Sequence, residues 1–143
     1  MAALESGLIA QVNAIRVHHG LVPLHASVAL DAAADAHSRE MGADGYFDHP
    51  SADGTAFWTR VSHWYTQSGF GTWSVGENLL WYSPNVGASE AVSAWMHSAE
   101  HRANILNPRW REIGIGAVHF TSASGPYRDL PVTIVTADFG VRR

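Results

Sequence analysis

At 143 residues, 46% of them hydrophobic and 15% charged, the chain has the size and composition of one folded domain, and neither the polarity of a disordered chain nor an apolar run near the roughly 20 residues that cross a bilayer. Met1 to Ile9 lack the basic start and apolar core of a complete signal peptide. The formal charge of −4, with nine basic residues that are all arginines scattered from Arg16 to Arg143, argues against a nucleic-acid surface, and the absence of cysteine excludes disulfides, thiolate nucleophiles and cysteine zinc sites.

Leu8, Val12 and Ile15 fall on one stripe of a helix over about residues 5–18, which stops at Gly20 and Pro23. Ser27 suits the N-cap of a second, alanine-rich helix in which Leu30, Ala34, His37 and Met41 share a face, so that His37 points inward, and Gly42 to Gly45 end it. Residues 45–76, with Pro50, several glycines and many aromatics, read as a packed excursion holding at most a short helix near Phe57–Trp64. Residues 77–82 read as a short strand broken by Ser83-Pro84-Asn85. Ser89 caps another helix, with Val92, Trp95, Met96 and Ala99 inward; it must finish by Asn107-Pro108, because proline disfavours helical backbone in the residue before it.

The tail changes period. Ile113, Ile115 and Ala117 alternate with Gly114 and Gly116, and Val132, Ile134 and Thr136 alternate with Thr133 and Val135, which predicts two antiparallel strands joined around Gly125-Pro126. Gly114 and Gly116 read as places where the strand runs close to packed aromatics. Helices first and a hairpin last define an α+β class, a small sheet covered by helices, over one domain of residues 5–143.

Several short motifs occur in a fixed order: Ala36-His37-Ser38, Tyr46-Phe47-Asp48-His49 with Asp53-Gly54, Gly76-Glu77-Asn78-Leu79, and Trp95-Met96 with His101-Arg102-Ala103-Asn104-Ile105-Leu106. Glu112-Ile113-Gly114-Ile115-Gly116 and Asp138-Phe139-Gly140 complete the series. In this order and spacing the chain resembles the CAP superfamily (cysteine-rich secretory proteins, antigen 5, pathogenesis-related class 1), in its bacterial, cysteine-free branch. The resemblance implies a three-layer α-β-α sandwich with a small, mainly antiparallel central sheet, and export from the cell. It also implies a cavity lined by two histidines and two glutamates, of which His49, Glu77 and His101 are present while Ser98 stands where the second glutamate is usual.

Two imidazoles and a carboxylate from three segments can form a divalent-metal site with open positions, zinc being one candidate cation; no organic cofactor is implied. The alternative is a hydrogen-bonded cluster in which Glu77 merely orients an imidazole. His37, on an apolar helix face, reads as a satisfied core histidine. His97-Ser98-Ala99-Glu100-His101 fits the H-x-x-E-H pattern of inverted zinc peptidases, in which two histidines on one helix face hold zinc and the glutamate activates water. Trp58, Trp64, Trp73 and Trp81 cluster in the excursion, where they either stack on a ligand or bury the loop's own apolar area, whereas Trp95 belongs to the core. The expected function is an exported, non-enzymatic module that binds a small apolar (lipid or sterol) or cell-envelope ligand through His49, Glu77, His101 and Ser98, with a metal-dependent hydrolase as the competing class. Neither a nucleic-acid partner nor a transmembrane segment is expected.

Overall fold

The computed structural model describes residues 1–143. Its elements in chain order are α1 (Ala2–His18), β1 (His25–Ala26), α2 (Val28–Asp44), α3 (Phe57–Ser62), β2 (Trp73–Tyr82), α4 (Ala88–Met96), α5 (Ala99–Ile105), β3 (Glu112–Ala123) and β4 (Leu130–Arg142). Four strands make one sheet in the order β1-β3-β4-β2, with β1 parallel to β3 and the other pairings antiparallel.

Alternation along β4 sorts the side chains into two layers. Val135, Ala137, Phe139 and Val141 pack with Ile113, Ile115, Leu8, Val12, Trp95 and Ile105 under α1, α4 and α5. On the opposite face Ile134 and Val132 pack with Met41, Leu79 and Tyr127 beneath α2. Helices cover both faces, so the architecture is the α-β-α sandwich of the α+β class.

The Ser27 hydroxyl accepts the Leu30 N–H at 3.3 Å and starts α2, and Gly45, at φ 72°, ends it in the left-handed conformation that glycine adopts without cost. Gly114 and Gly116 serve this helix rather than any aromatic ring. A Cβ on Gly114 would lie 2.1 Å from the Leu30 carbonyl carbon, and one on Gly116 2.2 Å from the Asp35 nitrogen, so the two glycines let the α2 backbone rest directly on β3. The Asp31 carboxylate accepts the Ile115 N–H and the Glu5 carboxylate that of Ala117, which occupies the β3 edge where the two-residue β1 has ended.

The helix expected after Ser89 is two helices. It begins two residues earlier, capped by Gly87 rather than Ser89, and breaks at His97 and Ser98, where Ser98 takes extended backbone (φ −111°, ψ 123°) before α5 starts. The 77–82 strand extends back to Trp73 because all ten residues pair with β4. The short β1, with both residues exposed, has no pattern that the sequence could reveal.

Candidate functional site

β2 is an edge strand, and a cleft of about 320 Å³ runs along that edge. One wall comes from the excursion after α2, with His49 and Phe57; the other comes from α5 and the segment after it, with Asn104 and Trp110. Val75 and Glu77 contribute from β2 itself. Gly76 keeps the wall thin, since a Cβ there would lie 2.7 Å from the Trp110 ring.

Glu77 is 4% exposed and is surrounded by donors. Its Oε1 accepts the His49 Nδ1–H at 2.9 Å, and its Oε2 accepts Arg60 Nη2–H at 2.5 Å. His37 Nε2 stands 3.9 Å from Oε1 while donating its proton to the Asp48 carbonyl at 2.8 Å. Directly across the ladder lies Asp138, fully buried, with no N–H or O–H donor from any other group on either oxygen. Its partner is the Glu77 carboxyl. Two carboxyls can hydrogen-bond only if one keeps its proton.

The surroundings decide which one. Burial and the Glu77 charge push Asp138 well above the usual carboxylate range. Burial alone would raise Glu77 as well, but hydrogen bonds from His49 and Asp138, together with the Arg60 charge, outweigh it and hold Glu77 far below its ordinary value. Glu77 is therefore an anion and Asp138 a neutral acid that donates to it. The hydrogen bond to Glu77 raises the His49 imidazole, whereas burial lowers His37.

His101 reaches the same sheet edge from the opposite layer. Asn78 donates to the His101 carbonyl at 3.0 Å, and Asn104 donates both to the Glu77 carbonyl and to Asn78 Oδ1, so a pair of amides fastens α5 to β2. The His101 ring bonds through Nδ1 to the Ser98 hydroxyl at 2.9 Å and makes no hydrogen bond to Glu77 or His49. Burial first, and the His49 charge second, lower its pKa. His49 and Glu77 are thus in direct contact and both line the cleft, whereas Ser98 and His101 form a separate pair and are not among its lining residues.

No three His, Asp or Glu side chains converge in a cage ready for a metal ion. What the donors offer is a pair of imidazoles, each oriented through Nδ1 and free of hydrogen bonds at Nε2. Glu77, with His49, Arg60 and Asp138 all upon it, holds the His49 ring in one orientation. The H-x-x-E-H segment does not form a zinc-peptidase helix. The break at His97 and Ser98 puts its two histidines on different helices, and His97 is exposed with its Nδ1 bonded to the Ser93 carbonyl at 2.7 Å.

His37 lies at the core, as its helical position predicts, although its Nδ1 has no partner. Arg60 and Asp138 were not among the candidates. Asp138 continues the Ile134, Thr136 alternation inward, and that period was the available signal; Arg60 is one residue of a six-residue helix and carried none. Among the tryptophans, Trp95 is 1% exposed and Trp58 56%.

A helix-covered, four-stranded sheet with a histidine- and glutamate-lined edge cleft defines an SCP-type domain. The sequence profile of the cysteine-rich secretory protein family, CAP, matches residues 9–139, and the chain belongs to that family. It is 36% identical over 119 residues to the uncharacterized protein YkwD of Bacillus subtilis, covering 82% of this chain and 44% of YkwD. It is 29% identical over 112 residues to the uncharacterized membrane protein YlbC of the same organism, covering 78% of this chain and 31% of YlbC. The chain therefore spans less than half the length of either relative.

Among solved structures, an extracellular SCP-domain protein of Bacillus anthracis superposes with a TM-score of 0.74 at 24% identity, over 99% of this chain and 41% of that one. An outer surface protein of Borrelia burgdorferi gives 0.70 at 22% identity, over 95% and 90%. A cysteine-rich secretory protein of Staphylococcus aureus gives 0.68 at 19% identity, over 96% and 38%. These likenesses establish the fold. No helix of the chain is long and apolar enough to cross a membrane.

Proposed function

We propose that this CAP domain works outside the cell as a binding module, taking a small apolar or cell-envelope ligand into the cleft along β2. One observation carries the reading. Glu77, the carboxylate at the cleft, already accepts from His49, Arg60 and Asp138, and these partners hold its proton affinity far below its ordinary value, which makes it a poor general base. An engaged carboxylate is suited to holding a histidine still, and the remaining wall of Phe57, Val75 and Trp110 offers apolar contact. The extracellular and outer-surface neighbours support the location.

A divalent cation such as zinc fits the reading as a guest of His49 and His101, through the Nε2 of each ring, where it would supply a Lewis-acidic contact for a polar ligand head. Ser98 and Glu77 then act as the groups that hold the two rings. The test is direct binding. Trp110 fluorescence should respond saturably to decanoic acid or to a soluble muropeptide, and Phe57→Ala should weaken the response. Cleavage of a peptide library that disappears in Glu77→Gln would replace this reading with a hydrolase.

A further inference from the structure

A second recess, of about 210 Å³, lies between α2 and α3 and shares no lining residue with the cleft. Ala36, His37, Glu40, Thr55, Arg60 and Trp64 contribute to its wall. Two of them are buried and incompletely satisfied. Arg60 is 7% exposed and spends Nη2 on Glu77 and the His49 carbonyl, leaving Nε and Nη1 without partners. His37 is 0% exposed; its Nε2 proton goes to the Asp48 carbonyl, which leaves Nδ1 as a bare acceptor with nothing to accept.

Buried polar groups almost always find partners, so unmet donors and an unmet acceptor on two side chains lining one recess point to something polar that fills it. The space is large enough for several waters or one small molecule. Charge narrows the choice. Glu40 brings a carboxylate to the same wall, where its Oε1 accepts the Ala52 N–H at 2.6 Å, and it would repel a simple carboxylate drawn to Arg60. A simple amine suits Glu40 and is repelled by Arg60. A molecule carrying both charges satisfies both residues, while Ala36 and Trp64 leave an apolar side for a short side chain.

We propose that the recess between α2 and α3 binds a small zwitterionic α-amino acid, its carboxylate on Arg60 and its ammonium on Glu40. The recess has its own lining residues and does not depend on the function assigned to the cleft, although Arg60 also bonds Glu77 and the His49 carbonyl there. The test follows the Arg60 Nε–H resonance by ¹⁵N NMR in the full chain during titration with glycine, L-alanine, D-alanine, acetate and methylamine. Saturable shifts are expected with the amino acids and not with acetate or methylamine. Ala36→Leu, which fills the recess without removing either charge, should abolish them.

Glu40→Gln keeps the volume and guards against a folding defect in the leucine variant. It should weaken the glycine response by about tenfold, the size of one lost charge-assisted hydrogen bond, without weakening that of acetate. The proposal is overturned if no amino acid shifts Arg60 saturably, if acetate matches glycine in the unmodified protein, or if a folded Ala36→Leu protein binds glycine as before.

Discussion

Asp138 faces Glu77 across the β2–β4 ladder, and the two buried carboxyls share one proton, which Asp138 keeps. The arrangement places a neutral donor where a second charge would repel Glu77. It also makes the protein's stability depend on Asp138 staying protonated. A carboxyl raised in the native state binds its proton more tightly there than in the unfolded chain, so its contribution is largest at low pH and declines as pH rises above about 4, the unfolded value.

Asp138→Asn keeps a donor toward Glu77 and removes the titration. Its thermal stability should equal or exceed that of the unmodified protein at neutral pH, and the decline above about pH 4 should be reduced. Asp138→Ala removes the donor, leaves Glu77 short of a partner and should cost about 1–3 kcal/mol. Denaturant unfolding across the pH range checks both, and an asparagine variant less stable than the alanine one would show that Asp138 does not act as a donor.

Arg60 and Glu77 form a buried ion pair at 5% and 0% side-chain exposure. Arg60→Met leaves a buried carboxylate without its cation, which should cost about 3–5 kcal/mol. Adding Glu77→Gln to that variant removes the stranded charge, so the double substitution should cost less than the sum of the two single ones. A double-mutant cycle by chemical denaturation measures the difference, and strict additivity would mean that the pair is not coupled.

The helices, the final hairpin and the inward face of α2 were legible in the sequence, because apolar spacing and capping residues act locally. Ser27 and Gly45 are examples, each bonding to a backbone within its own helix. The site was legible only in part. His49 and Glu77 meet across 28 residues, and nothing local encodes that contact, which came from motif order. Arg60 reads as a surface cation in a short helix until the fold turns it onto Glu77. The split between α4 and α5 was hidden because the residues on either side of Ser98 carry apolar spacing compatible with one continuous helix. Gly114 and Gly116 announced a close approach but not its partner, which turned out to be the α2 backbone.

The histidines should titrate in an order set by their neighbours. His49, bonded to Glu77, should lose its proton above the free-imidazole value of about 6.5, and the buried His37 and half-buried His101 below it. The stability consequences have opposite signs. His49 contributes most below about 6.5, and its contribution is lost as pH rises through its native value; that of His37 is present above about 6.5 and is lost as pH falls toward its native value. NMR titration of the ring protons gives the order, and Glu77→Gln should bring His49 down while leaving His101 below the free value.

Zinc binding distinguishes the two histidine pairs that the sequence offers. In the cleft reading the ligands are His49 and His101, so His49→Ala removes half of the protein donors and should abolish measurable binding, while His97→Ala should leave the affinity unchanged. Glu77 enters as the group that orients His49, and Glu77→Gln should weaken zinc by about 10–100-fold, the usual effect of losing a carboxylate behind a ligating histidine. Were Glu77 itself a ligand, its loss would match that of His49. The H-x-x-E-H reading reverses the order of the histidine variants, because it holds zinc through His97 and His101 and makes no use of His49. The fold opposes it: His97 closes α4, exposed and bonded to its own helix, and His101 lies on α5 beyond the extended Ser98. His101→Ala should remove binding in both readings and serves as the common control. Calorimetric titration of zinc at neutral pH into the four variants decides the matter, and binding that survives His49→Ala but collapses in His97→Ala would place the metal on the outer pair.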